Sequence, residues 1–397
     1  MRAVLCLASY EKGHDFLREC RRQGWQVLLL TSLSLQNKAK WPLESVDEIF
    51  YMPDECNVWD RPQTLKAVSY LARTRDIERI VALDDFDVEV AAMLREHLRV
   101  SGLGDSAVRY FRDKLAMRTR ARESDIAVPD FVGILNYDQI RAFLDAVPGP
   151  WVLKPRSMAG ALGIKKISGP EELWPILESL GDAQSNYLLE RWIAGGVCHV
   201  DSIVSNGSVV FAIASQYGRP PMETSHEGGI FSTRILDRES GLAQELLRRN
   251  AQVLESMGLD RGVSHTEFIL SQDGKDLFFL ETSCRVGGAY ISDLVHAASG
   301  LNLWVEWAKV ELADVYPVPI AAKDYAGLLI SLSRQEKPDT SAYTDLEIVW
   351  RLDFPHHVGL LVKSPRLERV DQLLQQYAQR LEVDFHASLP PQERPTN

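Results

Sequence analysis

The chain alternates short apolar runs with amphipathic stretches from its beginning. "RAVLCLAS" is an apolar run of strand length, "HDFLRECRRQG" has helical spacing and ends at Gly24, and "WQVLLLTS" is a second apolar run. That strand–helix–strand order predicts a parallel α/β layer. A third strand, "RIVALDD", precedes an amphipathic helix, "VEVAAMLREHL", so residues 1–105 read as a small open α/β domain. Its first turn, "LASYEKGH", lacks the G-x-G-x-x-G spacing of a dinucleotide fingerprint.

Residues 109–125 are rich in charge and helix formers, and the "IAVPDF" proline closes them. "WVLKPRSMAGALGIKKI" predicts a strand, a glycine-rich loop and a strand. "PEELWPILESL" predicts a helix and "NYLLERWI" a strand. "HVDSIVSNGSVVFAIAS" predicts a hairpin turning at Asn206 and Gly207. "LAQELLRRNAQVLESMG" predicts a helix, and "GVSHTEFILSQDGKDLFFLETS" a second hairpin turning near Asp273 and Gly274. "PPMETSHEGGIFSTR" reads as a polar loop between strands. Beyond about residue 320 the pattern is mixed, and "SLPPQERPTN" reads as a frayed tail.

Length and composition narrow the function. The chain has 397 residues, 45% hydrophobic and 25% charged, which fits two to four packed globular units. A net charge of −11 argues against nucleic acid and leaves room for a nucleotide held by a few lysines. No apolar stretch reaches the ~20 residues of a membrane span, and the start reads as a first strand rather than a signal peptide. The five cysteines are scattered without CxxC spacing, as expected of free thiols in a reducing cytoplasmic setting.

The second hairpin holds the first candidate chemistry. Glu281, Ser283 and Arg285 share one strand face if the strand runs that far. Glu267, on the partner strand, falls opposite Glu281 if the loop has odd length, whereas a two-residue turn would break the alignment. Opposed carboxylates need a shared proton, an arginine or a divalent cation such as magnesium; the plain alternative is one solvated acid and one paired with Arg285. His265 shares the face of Glu267. His356 and His357 are adjacent, point opposite ways on a strand and receive no metal role.

"KPRSMAGALGI" places Lys154 after an apolar strand, with Gly160 and Gly163 bracketing a small-residue loop that suits phosphate oxygens, or that is simply a turn. Lys114, in "RDKLAMRTRA", is by itself an ordinary helix-surface lysine. "LLERWIAGG" ends a strand at Glu190, where the backbone of Arg191, Trp192 and Ile193 can run along a flat ligand.

Taken in order, these pieces resemble the ATP-grasp superfamily over roughly residues 1–320, and most of all its carboxylate–amine ligases: biotin carboxylase, D-alanine–D-alanine ligase and the amino-acid ligases. The resemblance implies an α/β and α+β chain. Its parts would be an N-terminal Rossmann-like domain (1–105), a small lid subdomain with a linker helix (106–185), a large subdomain (186–320) and a C-terminal α+β segment completing it (321–397). ATP would lie between the two α+β subdomains. Lys114 and Lys154 would touch the phosphates under a flap at 157–163 that includes Ser157, Gly160, Ala161 and Gly163. Glu190, Arg191, Trp192 and Ile193 would sit at the adenine. Glu267, Glu281 and Ser283 would hold Mg2+, with Mn2+ as a substitute. Arg285 and Lys154 would act on the transferred phosphoryl group, and Gly287 and Gly288 would support an oxyanion.

Three positions depart from the family. Ser283 stands where Asn is usual, Ala161 replaces a flap serine, and Val197 replaces a ribose-binding acid, a role left to Asp201 or His199. His226, Glu227 and Arg234 are candidates for substrate contact. The implied activity is an ADP-forming carboxylate–amine ligase using an acyl-phosphate and small-molecule substrates. The alternatives are a nucleotide-binding sensor without ligase chemistry and a biotin-carboxylase-like enzyme. Homodimers are common in the family, and dimerisation is an open expectation here.

Overall fold

The computed structural model of the chain describes residues 2–158, 160 and 162–387. Ala161, the side chains of His226 and Glu227, and the expected tail lie outside the described residues.

Four parallel strands form the first sheet, in spatial order Glu48–Met52, Gln26–Ser32, Arg2–Ala8, Asp76–Ala82. Their unbroken apolar runs follow from burial on both faces, as parallel sheets require. The helix His14–Arg22 covers one face and continues into the rest of the molecule. Phe16 meets Trp307 edge-on at 5.2 Å, and Leu17 shares a core with Leu294 and Ala308. The helix Val88–Leu98 covers the other face.

A second sheet is antiparallel, ordered Phe131–Gly133, Tyr187–Arg191, Trp151–Pro155, Lys165–Ile167. The helices Tyr137–Ala146 and Pro170–Leu180 pack Ile140, Leu173 and Leu177 onto it. Tyr187–Arg191 hydrogen-bonds to both of its neighbours within this sheet.

The third sheet has eight antiparallel strands. Leu277–Ser283, Gly262–Ser271, Gly195–Ser205, Ser208–Tyr217 and Phe231–Ile235 lead into Tyr325–Leu332, His357–Ser364 and Ile348–Arg351. The last three come from the C-terminal segment and extend the same sheet. Asn206 and Gly207, both with positive φ, make the two-residue hairpin turn. The expected polar loop at 220–234 instead holds a helix, Pro221–Glu227, and a strand, Phe231–Ile235. That strand fills a place between its two neighbours, where ladder bonds outweigh its polar sequence.

In the second functional hairpin, Leu270 pairs with Leu277, so six residues, 271–276, intervene. An even number alone would set Glu267 against Leu280 and turn Glu281 to the opposite face. A β-bulge prevents this: Phe268 pairs with Phe279, Leu280 is left unpaired, and Glu267 pairs with Glu281. The loop is even rather than odd, and the alignment of Glu267 with Glu281 comes from the bulge.

Candidate active site

A cleft of about 360 Å³ lies between the second and third sheets and is closed at one end by the first domain. Lys154 and Glu190 face it from the small sheet, Glu267, Glu281 and Ser283 from the large sheet, and Lys114 from the helix Lys114–Glu123. Asp113 caps that helix through the amides of Leu115 and Ala116 and also pairs with Arg156, fixing the helix start beside the end of the Trp151–Pro155 strand.

Lys114 is almost fully buried. Its Nζ lies 2.9 Å from a Glu281 carboxylate oxygen and donates to the Met158 carbonyl at 2.7 Å. It is thus a site lysine rather than the solvated helix-surface lysine that its local sequence describes. Burial alone would raise the Glu281 carboxyl, but Lys114, with Lys154 behind it, holds it below the usual range.

Lys154 pairs with Glu190, and Glu190 also accepts from Arg118 Nε at 3.0 Å. All three are buried, Arg118 completely. Burial pulls the Lys154 ammonium down to about 8, partly opposed by Glu190. Burial would raise Glu190, yet the two cations keep it ionised and below its normal range. Glu190 therefore orients Lys154 within the cleft wall. Arg118 also donates to the carbonyl of Leu280, the bulge residue, tying the central helix to the hairpin. Sequence reading missed Arg118, although its place four residues after Lys114 puts both on one helix face.

Glu267 accepts from the Tyr217 hydroxyl at 2.7 Å, with His265 Nε2 at 3.4 Å. Behind them runs a buried chain. His265 Nδ1 bonds Asp201 at 2.9 Å, Asp201 bonds His199 Nδ1 at 2.8 Å, and His199 Nε2 meets the Thr233 hydroxyl at 2.7 Å. Burial disfavours a charged His265, but Asp201 and then Glu267 raise it to about 10, so it is an imidazolium at neutral pH. Ligand atoms of His199, Asp201 and His265 lie within 4.8 Å of one another. Each is already committed to a hydrogen bond, and the group reads as a relay supporting Glu267. The expected ribose contact of Asp201 is corrected: it is fully buried and both its oxygens are taken by histidines.

Arg285 lines the cleft and pairs through Nε with Asp85 at 2.7 Å, while its Nη1 donates to the Val286 carbonyl. The plain alternative, in which Arg285 pairs with one of the two glutamates, is not what the structure has. Asp85 takes that place because the first domain brings it there, at the carboxyl end of the Asp76–Ala82 strand. Strand carboxyl ends of open α/β sheets are where ligands bind, which is the signal that could have found it. Burial would raise Asp85, but Arg285 and Arg112 hold it low.

Other expected residues are distributed unevenly. Gly160 and Ile193 line the cleft, whereas Gly163 packs against Pro155. Ser157 is half-buried and outside the lining. Arg191 and Trp192 line it, but their amides donate to Asp130 and Pro150 carbonyls, which removes two of the expected adenine-reading donors. Trp192 has Lys166 over its ring at 4.6 Å. Gly288 lines the cleft, while a Cβ on Gly287 would come within 2.9 Å of His265, so that glycine lets the backbone lie on the relay. Arg234 is corrected: it pairs with Asp371 at 2.6 Å, away from the cleft, because neighbouring strand positions face opposite ways and Thr233 takes the inward one.

The oxygen set of Glu267, Glu281 and Ser283 suits a hard divalent cation, and the opposed carboxylates supply the charge one would need. In the chain itself, His265 and Lys114 balance that charge. Among the described residues no helix is long and apolar enough to cross a membrane.

No protein-family model matches the chain. The L-arginine-specific L-amino acid ligase of Bacillus subtilis is 25% identical over 233 residues, covering 57% of this chain and 56% of that protein. A D-alanine–D-alanine ligase of Neisseria meningitidis serogroup B is 25% identical over 194 residues, 47% of this chain and 62% of that protein. The chain thus spans little more than half the length of these curated relatives. Among solved structures, an L-amino acid ligase from Bacillus licheniformis matches with a TM-score of 0.73 at 15% identity, covering 97% of this chain and 98% of that one. The biotin carboxylase domain of a Hydrogenobacter thermophilus 2-oxoglutarate carboxylase, crystallised with MgADP, ADP and bicarbonate, matches with a TM-score of 0.68 at 14% identity, covering 94% and 88%. Three sheets in this arrangement, with the cleft between the second and third, form the ATP-grasp fold that the chain shares with these solved structures, and the curated proteins to which it is similar are ligases.

Proposed function

We propose that the chain is an ADP-forming carboxylate–amine ligase that joins an amino acid or another small carboxylic acid to an amine. The observation that supports this best is the meeting of Lys114 and Lys154 with the opposed Glu267 and Glu281 in one cleft. Buried ammonium groups beside paired acids suit a triphosphate and its cation, and the relatives' names point to the same chemistry.

In this reading Lys114 and Lys154 hold the ATP phosphates, with Glu190 and Arg118 keeping Lys154 in place. Glu267, Glu281 and Ser283 hold Mg2+, or Mn2+, which prefers the same oxygen ligands. A bound cation supplies charge neutralisation for phosphoryl transfer. A substrate carboxylate oxygen bonds the γ-phosphorus as the bond to the β,γ-bridging oxygen breaks, releasing ADP. The amine nitrogen then attacks the acyl carbon, loses a proton and expels phosphate. Arg285 uses three N–H groups on Asp85 and Val286, and its other two are assigned to the phosphoryl group and the developing oxyanion. Glu227 and His226 are kept as candidate substrate contacts.

The test is ADP release with ATP, Mg2+ and a panel of amino-acid pairs. Substrate-stimulated ADP that disappears in E281A supports the ligase. ATP binding without stimulated ADP, seen by calorimetry, would instead favour a nucleotide-binding sensor.

A further inference from the structure

A second cavity, of about 250 Å³, lies behind the cleft where the first domain meets the large sheet. It is lined by Arg79 of the Asp76–Ala82 strand, Arg95 of the Val88–Leu98 helix and Arg261 just before the Gly262–Ser271 strand. Glu311, of the Leu303–Leu312 helix, stands among them, and Asp260 is at the exposed rim.

The arginines are held in place without being neutralised. Arg79 donates to the main-chain carbonyls of Glu311 at 2.9 Å and Glu78 at 2.8 Å. Arg95 donates to those of Ile80 at 2.8 Å and Leu103 at 2.9 Å. Arg261 donates to the Ala313 carbonyl at 2.9 Å and the Asn206 side-chain oxygen at 3.1 Å. Among the described residues none of the three forms an ion pair. By contrast, Arg75 meets Glu48 at 2.7 Å, and Arg369 meets Asp345 at 2.6 Å and Glu347 at 2.8 Å.

Three guanidiniums around one cavity repel one another, and withdrawing them from water adds to that cost. Each has five N–H groups, and the bonds above use two, so donors remain. Carbonyl anchoring fixes the planar forks in advance, which lowers the entropy lost when they grip a ligand. With Glu311 ionised the cavity wall carries 3 − 1 = 2 positive charges, and Asp260 at the rim leaves one. Burial raises the Glu311 carboxyl above its usual range, and the arginines do not reverse it.

We propose that this cavity is a binding site for a small dianionic oxyanion, a phosphate group or a short dicarboxylate, gripped by Arg79, Arg95 and Arg261. It is separate from the catalytic cleft but shares a wall with it. Cys284 lines the arginine cavity, and its chain neighbours Ser283 and Arg285 line the cleft.

Calorimetric titration of the full chain with inorganic phosphate, and separately with succinate, tests the proposal, with potassium chloride as the ionic-strength control. The variant K154M removes the cleft lysine and reports any binding there. The expected result is that one of the two probes binds wild type and K154M alike. R261Q weakens that binding about tenfold, the scale of one charge-assisted bidentate contact, and E311Q binds at least as tightly as wild type. A merely structural role would make R261Q and E311Q fail together, whereas an anion site drives them in opposite senses. If R261Q does not fold, R79Q replaces it. The proposal is overturned if neither probe binds, if binding is lost in K154M, if the arginine variants bind as wild type does, or if E311Q weakens binding.

Discussion

Glu267 stands directly across the hairpin from Glu281, and each carboxylate has its own cation: His265 beside the first, Lys114 beside the second. Opposed acids at this spacing repel unless balanced. The protein sets one cationic partner beside each carboxylate.

The first prediction concerns this pair. If both acids hold one cation, E267Q and E281Q should each lower Mg2+-dependent ADP formation by roughly a hundredfold or more, and the double variant should lose little beyond the worse single one. Steady-state rates across a Mg2+ titration check this. Additive losses would mean that the acids act separately.

Arg118 gives a prediction about stability. It is buried and bonds both Glu190 and the Leu280 carbonyl. Replacing it with Met leaves that carbonyl without its donor and Glu190 with only Lys154. Losing one partner of a buried ion pair costs about 3–5 kcal/mol, and the remaining lysine places R118M near the lower figure. Urea denaturation measures it, and a loss below about 1 kcal/mol would contradict the role given to this arginine.

The Asp85–Arg285 pair joins the first domain to the cleft. D85N should destabilise by about 3 kcal/mol, because it leaves the guanidinium largely buried without a counter-charge. A double variant, D85N with R285M, should recover part of that loss. Additive effects in the denaturation cycle would show that the two residues do not interact.

Asp87 supplies a pH dependence from the first domain. Burial, reinforced by Asp84, raises its carboxyl to about 7, against about 3.9 in an unfolded chain. Between those values the folded chain binds more protons than the unfolded one, so unfolding free energy falls as pH rises through roughly 4 to 7. The contribution is fully favourable below about pH 4 and gone above about 7. D87N should therefore lose less stability than wild type between pH 5 and pH 8 in parallel denaturation curves. Equal losses would remove Asp87 as the source.

Much of the site is legible in the sequence because it follows strand periodicity and local glycine or lysine patterns. Lys114, Lys154, Glu190, Glu267, Glu281, Ser283 and Arg285 all reach one cleft. What misled was parity. Alternation predicts a side chain's face only while a strand stays regular, and Leu280 interrupts it. The same rule, applied to Arg234, would have turned it away from Thr233 and the cleft.

The sequence by itself determined most strands, helices and hairpins before about residue 320, though not the helix Pro221–Glu227 or the strand Phe231–Ile235, since most of these depend on apolar spacing, caps and turn residues within a few positions. It also determined that acids and lysines fall at strand ends and helix starts. Only the tertiary structure decided the partners. Asp85 reaches Arg285 across 200 positions, Arg118 reaches Glu190 across 72, and Asp201 turns inward to two histidines instead of toward a ligand. The reason is physical: a buried charge takes whichever counter-charge packing brings within hydrogen-bond reach, and local spacing holds no record of which distant segment that is.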